Sequence, residues 1–305
     1  MDEAQNVGTD QGNSDEKIKS IECLLKECRD LKKRYADNVQ FYFRGESCDS
    51  WKLRPSIMRR SSLQEKESEM LNELMSRQPE AFSGLTSAFS QWVLAQHYGL
   101  QTRLLDITRN PLVALFNACE EDRDKDGRLH VFAVPSDLIR SFNSDTVSII
   151  ANFAKLRHAE QNLLLGKTPE DTDAGEGLGL ADEHPEVMGR LYHFIRQEKP
   201  HFEERINHGD LFRVFVVEPQ QSFERIRAQS GAFLISVFHE RFERSEILQL
   251  NADIPVYDHY TLTVSGGCKK DNIMKDLCLL NITHESLFPG LDEAAKAVTQ
   301  RYSAE

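Results

Sequence analysis

Two short stretches hold most of the residues whose types and spacing suit chemistry. In the first, the aromatic run from Gln40 ends in Arg44-Gly45-Glu46. An arginine at a strand end can grip a phosphate or carboxylate with its planar fork, and a glycine beside it lets a ligand approach the backbone. The same residues also read as a surface salt bridge followed by a turn. In the second stretch, Gln91 to Cys119, His97 and Tyr98 stand between a helix and a strand. There they either stack on and hydrogen-bond to a ligand ring, or cap the helix and fill core. Thr102, Arg103 and Asp106 follow, alternating along a short apolar strand. Buried polar side chains need partners, because unpaired ones are costly. An internal Arg103–Asp106 network and a ligand meet that need equally well. Thr108-Arg109-Asn110-Pro111 opens a helix whose free N–H groups and dipole favour an anion, unless Thr108 or Asn110 caps it.

The remaining candidates are sparser. Gln229-Ser230-Gly231 lies at a helix-to-strand junction, where Gly231 also reads as a helix C-cap. Glu240, Glu243 and Glu246 lie in an arginine-laced loop, which reads mainly as a solvated charge run. There is no glycine-rich phosphate loop, HExxH or nucleophile elbow, and neither the histidines nor the cysteines show metal-ligand spacing. No metal is expected.

These residues need a scaffold, and the hydrophobic pattern outlines one. Residues 1–14 read as a disordered tail and 15–37 as an N-terminal helix, with Ile18, Ile21, Leu25, Cys28 and Leu31 on one stripe. Strands are expected at Val39–Phe43, Thr102–Asp106, Leu129–Val134, Leu211–Val217, Ala232–Phe238, Ile254–Tyr257 and His259–Val264. Helices are expected from a capping box at Ser62–Glu65 to Ser76, from Pro79 to Gln96, after Pro111, over 136–165, and from Val187 to Asn207. Further helices are expected at Ser222–Ala228, Asp271–Leu280 and Leu291–Arg301. Gly166–Glu186, rich in glycine and acid, reads as a flexible insert. The whole implies an α+β fold in one domain, 38–305, with a mostly antiparallel or mixed sheet and helices packed around it.

Composition narrows the classes. At 305 residues and 40% hydrophobic, the chain suits a globular protein. A formal net charge of −12 argues against a broad nucleic-acid surface but leaves room for a local basic cleft. No run approaches the ~20 apolar residues of a membrane span, and the acidic first residues are unlike a secretory signal. A cytoplasmic location with free thiols is expected.

Taken in order, these pieces resemble the FRG domain family, named for the aromatic-Arg-Gly run that is Phe43-Arg44-Gly45 here. The resemblance continues through Trp51–Ile57, the block Ala95–Phe116, the block Arg225–Phe233 and the ending Asn281–Leu291, so it covers about Gln40 to Val298. Gln101 stands where the family usually has proline, and Ile107 where it usually has tryptophan. A second resemblance is to ADP-ribosyltransferases, whose first motif is also a strand ending in aromatic-Arg-Gly. It implies NAD as substrate, with Arg44 on the pyrophosphate or ribose and His97, Tyr98 and Thr108 lining the nicotinamide-ribose pocket. Gly45, Thr102, Arg103, Asp106 and Asn110 would complete the binding site. An oxocarbenium-like state needs a carboxylate nearby. Where those enzymes carry a late glutamate this chain has Gln229, so Gln229, Glu240 or Glu243 would take that role. The resemblance implies an NAD-consuming toxin or anti-phage effector. The alternative is a non-catalytic module that senses a nucleotide or binds a protein.

Overall fold

The computed structural model describes residues 17–165, 184–220, 224–250, 254–290, 293–295, 298, 299 and 302. One seven-stranded sheet organises them: β1 (Val39–Glu46), β2 (Leu105–Thr108), β3 (Gly127–Pro135), β4 (Ile139–Ser141), β5 (Phe215–Glu218), β6 (Gly231–Ile235) and β7 (Asp258–Val264). The spatial order is β4-β5-β6-β2-β1-β3-β7. Every pairing is antiparallel except β4 with β5, so the sheet is mixed and the fold is α+β.

The main helices are α1 (Ile21–Lys32), α2 (Glu67–Arg77), α3 (Ala88–His97), α4 (Pro111–Glu120), α5 (Asp145–Phe153), α6 (His158–Leu165), α7 (Pro185–Glu198), α8 (Glu224–Ala228), α9 (Arg244–Leu250) and α10 (Cys268–Leu279). Helices α1, α4 and α10 bury a cluster with Phe43, Leu129, Val131 and Leu262 of the sheet. The larger cluster joins α3, α5 and α7 to β2, β5 and β6. Trp92 of α3 ties two helices together by donating its indole N–H to the Ala151 carbonyl at 3.2 Å.

Side chains alternate along a strand, so Phe43 and Gly45 share one face of β1 while Tyr42, Arg44 and Glu46 share the other. The Gly45 face meets α4 at very short range. A Cβ at position 45 would lie 1.8 Å from the Ala114 carbonyl oxygen and 2.7 Å from the Ala118 nitrogen. Glycine is therefore present because a helix backbone rests on it, not because a ligand does.

Several expected elements differ. The Ser62–Glu65 capping box does not form: the chain makes a short turn at Ser61–Gln64 and then α2, and neither has a side-chain cap. The expected helix from Pro79 is interrupted after Phe82, and Ser87 caps α3 afresh by accepting from Ser90 N. The second strand begins at Leu105 instead of Thr102, and the expected helix over 136–165 contains the edge strand β4 before α5 and α6. Helix α7 stops at Glu198, short of Asn207. Ile254–Tyr257 is not a strand, and Tyr257 instead donates its hydroxyl to the Phe242 carbonyl at 2.6 Å. The 1–14 tail, most of the 166–186 insert and most of the 291–301 helix lie outside the described residues.

Replacing Gly45 by alanine should push α4 off β1. The expected loss is at least about 1–3 kcal/mol, the usual cost of overpacking, read as a lower urea midpoint. A variant as stable as the parent would show that the helix does not sit on Gly45.

Candidate functional site

Helix α3 ends at His97 through Tyr98 and Gly99. Gly99 adopts φ +92°, which lets Leu100 N return to the Ala95 carbonyl at 2.9 Å and close the helix end. The polar residues that follow are mostly spent inside the fold. Arg103 is buried and donates to Glu67 of α2 through Nε at 2.9 Å and through Nη2. It reaches Gln161 Oε1 at 3.2 Å and the Val237 carbonyl at 3.3 Å as well. Its partner is thus Glu67 and not Asp106, and it is a structural cation. Thr102, also buried, donates to Gln96 Oε1 and accepts from Leu104 N at 3.2 Å. Gln96 in turn donates Nε2–H to Asp106 Oδ2 at 2.8 Å.

The start of α4 is likewise self-contained. Thr108 donates its hydroxyl to the Gln229 carbonyl at 2.6 Å and accepts from Asn110 N at 3.0 Å. Asn110 Oδ1 accepts from Leu112 N at 2.9 Å. Thr108 and Asn110 therefore occupy N–H donors that an anion at this terminus would need.

Arg44 is a strand cross-link. Its Nη1 donates to the Asp106 carbonyl of β2 at 2.8 Å, and its Nε lies 3.3 Å from Glu46 Oε1. Glu46 Oε2 is 3.2 Å from His130 Nε2, and His130 Nδ1 is 2.9 Å from His259 Nε2. This Arg-Glu-His-His chain spans β2, β1, β3 and β7. Burial alone would raise the Glu46 pKa. The His130 hydrogen bond and the Arg44 charge outweigh it, and the pKa falls to about 2. Burial and the neighbouring His130 bring His259 down to about 3, so it stays neutral.

A small cleft opens on the other face. Phe43 pairs with Thr108 and Asp106 with Phe233, so strand alternation turns the Asp106 side chain away from Arg44. The cleft holds about 160 Å³, and its polar wall is Gln96, His97, Asp106, Arg225 and Gln229, with Phe233 among its apolar residues. His97 is half-buried; burial and then the charge of Arg225 lower its pKa, which favours neutral imidazole. Tyr98 is 74% exposed and stands edge-on to the His97 ring at 5.0 Å. Below the cleft, Gln229 Nε2 donates to the Leu287 carbonyl at 3.1 Å, and Arg225 lies over the Phe288 ring at 4.6 Å. His284 stacks on Phe288 at 4.5 Å, with its ring nitrogens 2.5 Å from Glu120 Oε1 and 2.9 Å from Glu293 Oε2.

Of the sequence candidates, the fold brings His97, Asp106 and Gln229 together at this cleft, with Tyr98 beside them. Arg44, Gly45, Thr102, Arg103, Thr108 and Asn110 do not line it. Glu240 is exposed and pairs with Arg54, while Glu243 accepts from Leu53 N at 3.0 Å. Gln96 and Arg225 were missed as site residues. Gln96 precedes His97 directly, and Arg225 falls one helical turn before Gln229, so both were within reach of a facing argument.

Residues 39–127 match the FRG domain family. This stretch is an FRG domain. It runs from the first residue of β1 to the first of β3, and so includes Gln96, His97 and Asp106 but not Arg225 or Gln229. No curated protein and no solved structure matches the chain. Among the described residues, no cluster of His, Cys, Asp or Glu is placed to hold a metal, and no helix is long and apolar enough to cross a membrane.

Because the folded pKa of Glu46 lies below its unfolded value, its contribution to stability is complete above about pH 4.5 and fades as pH falls towards 2. Glu46→Gln should therefore cost on the order of 3 kcal/mol at pH 7 and clearly less at pH 3. Equal losses at both pH values, measured by urea unfolding, would show that the carboxylate charge is not what stabilises the chain.

Proposed function

We propose that this FRG-domain chain is a ligand-binding protein whose cleft takes one planar polar ring, such as the nicotinamide or nucleobase end of a nucleotide. The observation that carries this reading is the convergence of Gln96, His97, Asp106, Arg225 and Gln229 on a single cleft. At about 160 Å³ it is smaller than the ~300–1,000 Å³ of drug-sized sites. It suits one ring, with the rest of a dinucleotide lying outside over the exposed Tyr98. Asp106 accepts from ring or amide N–H groups while Gln96 holds one of its oxygens, and neutral His97 offers a further donor or acceptor.

A second reading, NAD cleavage with ADP-ribosyl transfer, is favoured by one feature. Asp106 gives the cleft an exposed carboxylate beside His97, and such a group could stabilise an oxocarbenium-like state. In this reading Asp106 replaces Glu240 as the carboxylate, and Arg44 acts on the sheet instead of on the dinucleotide. A toxin or phage-defence role would belong to this second reading alone.

Calorimetric titration with NAD and with nicotinamide mononucleotide tests the first reading. Asp106→Asn and His97→Ala should each weaken binding about tenfold or more, the usual effect of losing a hydrogen bond to a charged or buried group. No binding of either compound to the parent protein would sink it. Nicotinamide release from NAD, abolished in Asp106→Asn, would move the assignment to the enzyme.

A further inference from the structure

We infer that Arg225 is the anion-holding group of this cleft, so that the ligand it takes is a mononucleotide unit: a ring with an N–H donor, and a phosphate beside it. The inference rests on the cleft being a ligand site and adds the chemical class of the ligand. Arg225 is half-buried in the cleft wall. The chain carries 49 acidic residues against 37 Lys and Arg, yet among the described residues the Arg225 guanidinium has no carboxylate partner. Its one side-chain contact of note is the Phe288 ring, 4.6 Å from the guanidinium carbon. A cation over a ring face keeps its N–H donors uncommitted. By contrast, Arg44 and Arg103 both spend donors on protein acceptors.

The platform under Arg225 is itself fixed. Phe288 stacks against His284, which stands between Glu120 and Glu293, and the adjacent Leu287 carbonyl holds Gln229. The cleft therefore has two charged sides. The Asp106 side accepts from an amine or amide, and the Arg225 side offers a fork suited to phosphate oxygens. A free base or nucleoside satisfies only the first side, and inorganic phosphate only the second.

The test compares ligands with and without the phosphate. AMP against adenosine, nicotinamide mononucleotide against nicotinamide riboside, and inorganic phosphate alone are titrated into the full chain by calorimetry at fixed salt. At least one phosphorylated member should bind about tenfold or more tightly than its nucleoside. Arg225→Ala should remove that difference, while Arg225→Lys keeps part of it. Phe288→Leu, which loosens the platform, should shrink the phosphate preference. Equal affinity for nucleoside and nucleotide would overturn the inference and leave the ring-binding cleft standing. Inorganic phosphate binding as tightly as the nucleotides would overturn it too, since the ring would then contribute nothing. Absence of binding by every compound would overturn the cleft reading and the inference together. Circular dichroism of each variant separates these outcomes from misfolding.

Discussion

The contact on which the rest of the structure depends is the seating of α4 on Gly45. With no Cβ there, the helix backbone comes within van der Waals reach of β1, and this close approach fixes the relative position of β1, β2 and α4. Everything at the cleft is referred to that unit. Asp106 is on β2, the strand between β1 and β6, and Thr108 joins β2 to the Gln229 carbonyl just before β6. The run Phe43-Arg44-Gly45, which has the form of a ligand-binding motif, consists of three packing devices. Phe43 enters the core on the helix side, Arg44 crosses to the Asp106 carbonyl, and Gly45 admits α4.

The polar density that marks Gln91–Asn110 in the sequence resolves in the same way. Most of it is a buried hydrogen-bonded framework, and a minority faces the cleft. Arg103 with Glu67 is a buried ion pair with further donors satisfied by Gln161 and the Val237 carbonyl. Breaking one member of such a pair is far costlier than losing a surface pair, so this arginine serves the fold. The Thr102–Gln96–Asp106 chain connects the framework to the site. Asp106 is oriented by Gln96, and Gln96 is held by a threonine that is itself fully buried.

How much of this was legible depends on the range of each interaction. The strands β1, β3 and β6 and the helix opening at Pro111 follow from local patterns of aromatic alternation and an Asn-Pro start, and they stand where the sequence placed them to within a few residues. The local interruption after Phe82 and the edge strand β4 were hidden, since tertiary packing decides them. Partners were the least visible feature. Arg103 offered Asp106 as a neighbour in sequence, whereas the fold supplied Glu67 from α2. Glu46, His130 and His259 are adjacent only because β1, β3 and β7 are neighbours in the sheet. Arg44 and Asp106 seemed to belong to one site, but the period of two along β-strands sends their side chains to opposite faces. That single geometric rule, applied to the register of β1 with β2, separates a structural arginine from a cleft carboxylate.

The charge balance gives the remaining constraint on function. A chain with net charge −12 presents an unfavourable field to any phosphorylated ligand. At physiological ionic strength that field is screened over about 8 Å, so distant acids count for little at the cleft, and the groups lining it decide. There, Gln96 holds Asp106, burial and Arg225 favour neutral His97, and Arg225 rests on an aromatic ring instead of on an acid. Neutral His97 avoids adding a second cation beside Arg225, and the lining then carries one acidic side chain, Asp106, and one basic one, Arg225. On the proposed binding role, such a lining discriminates by polarity and favours a ligand that carries both an N–H donor and an anion.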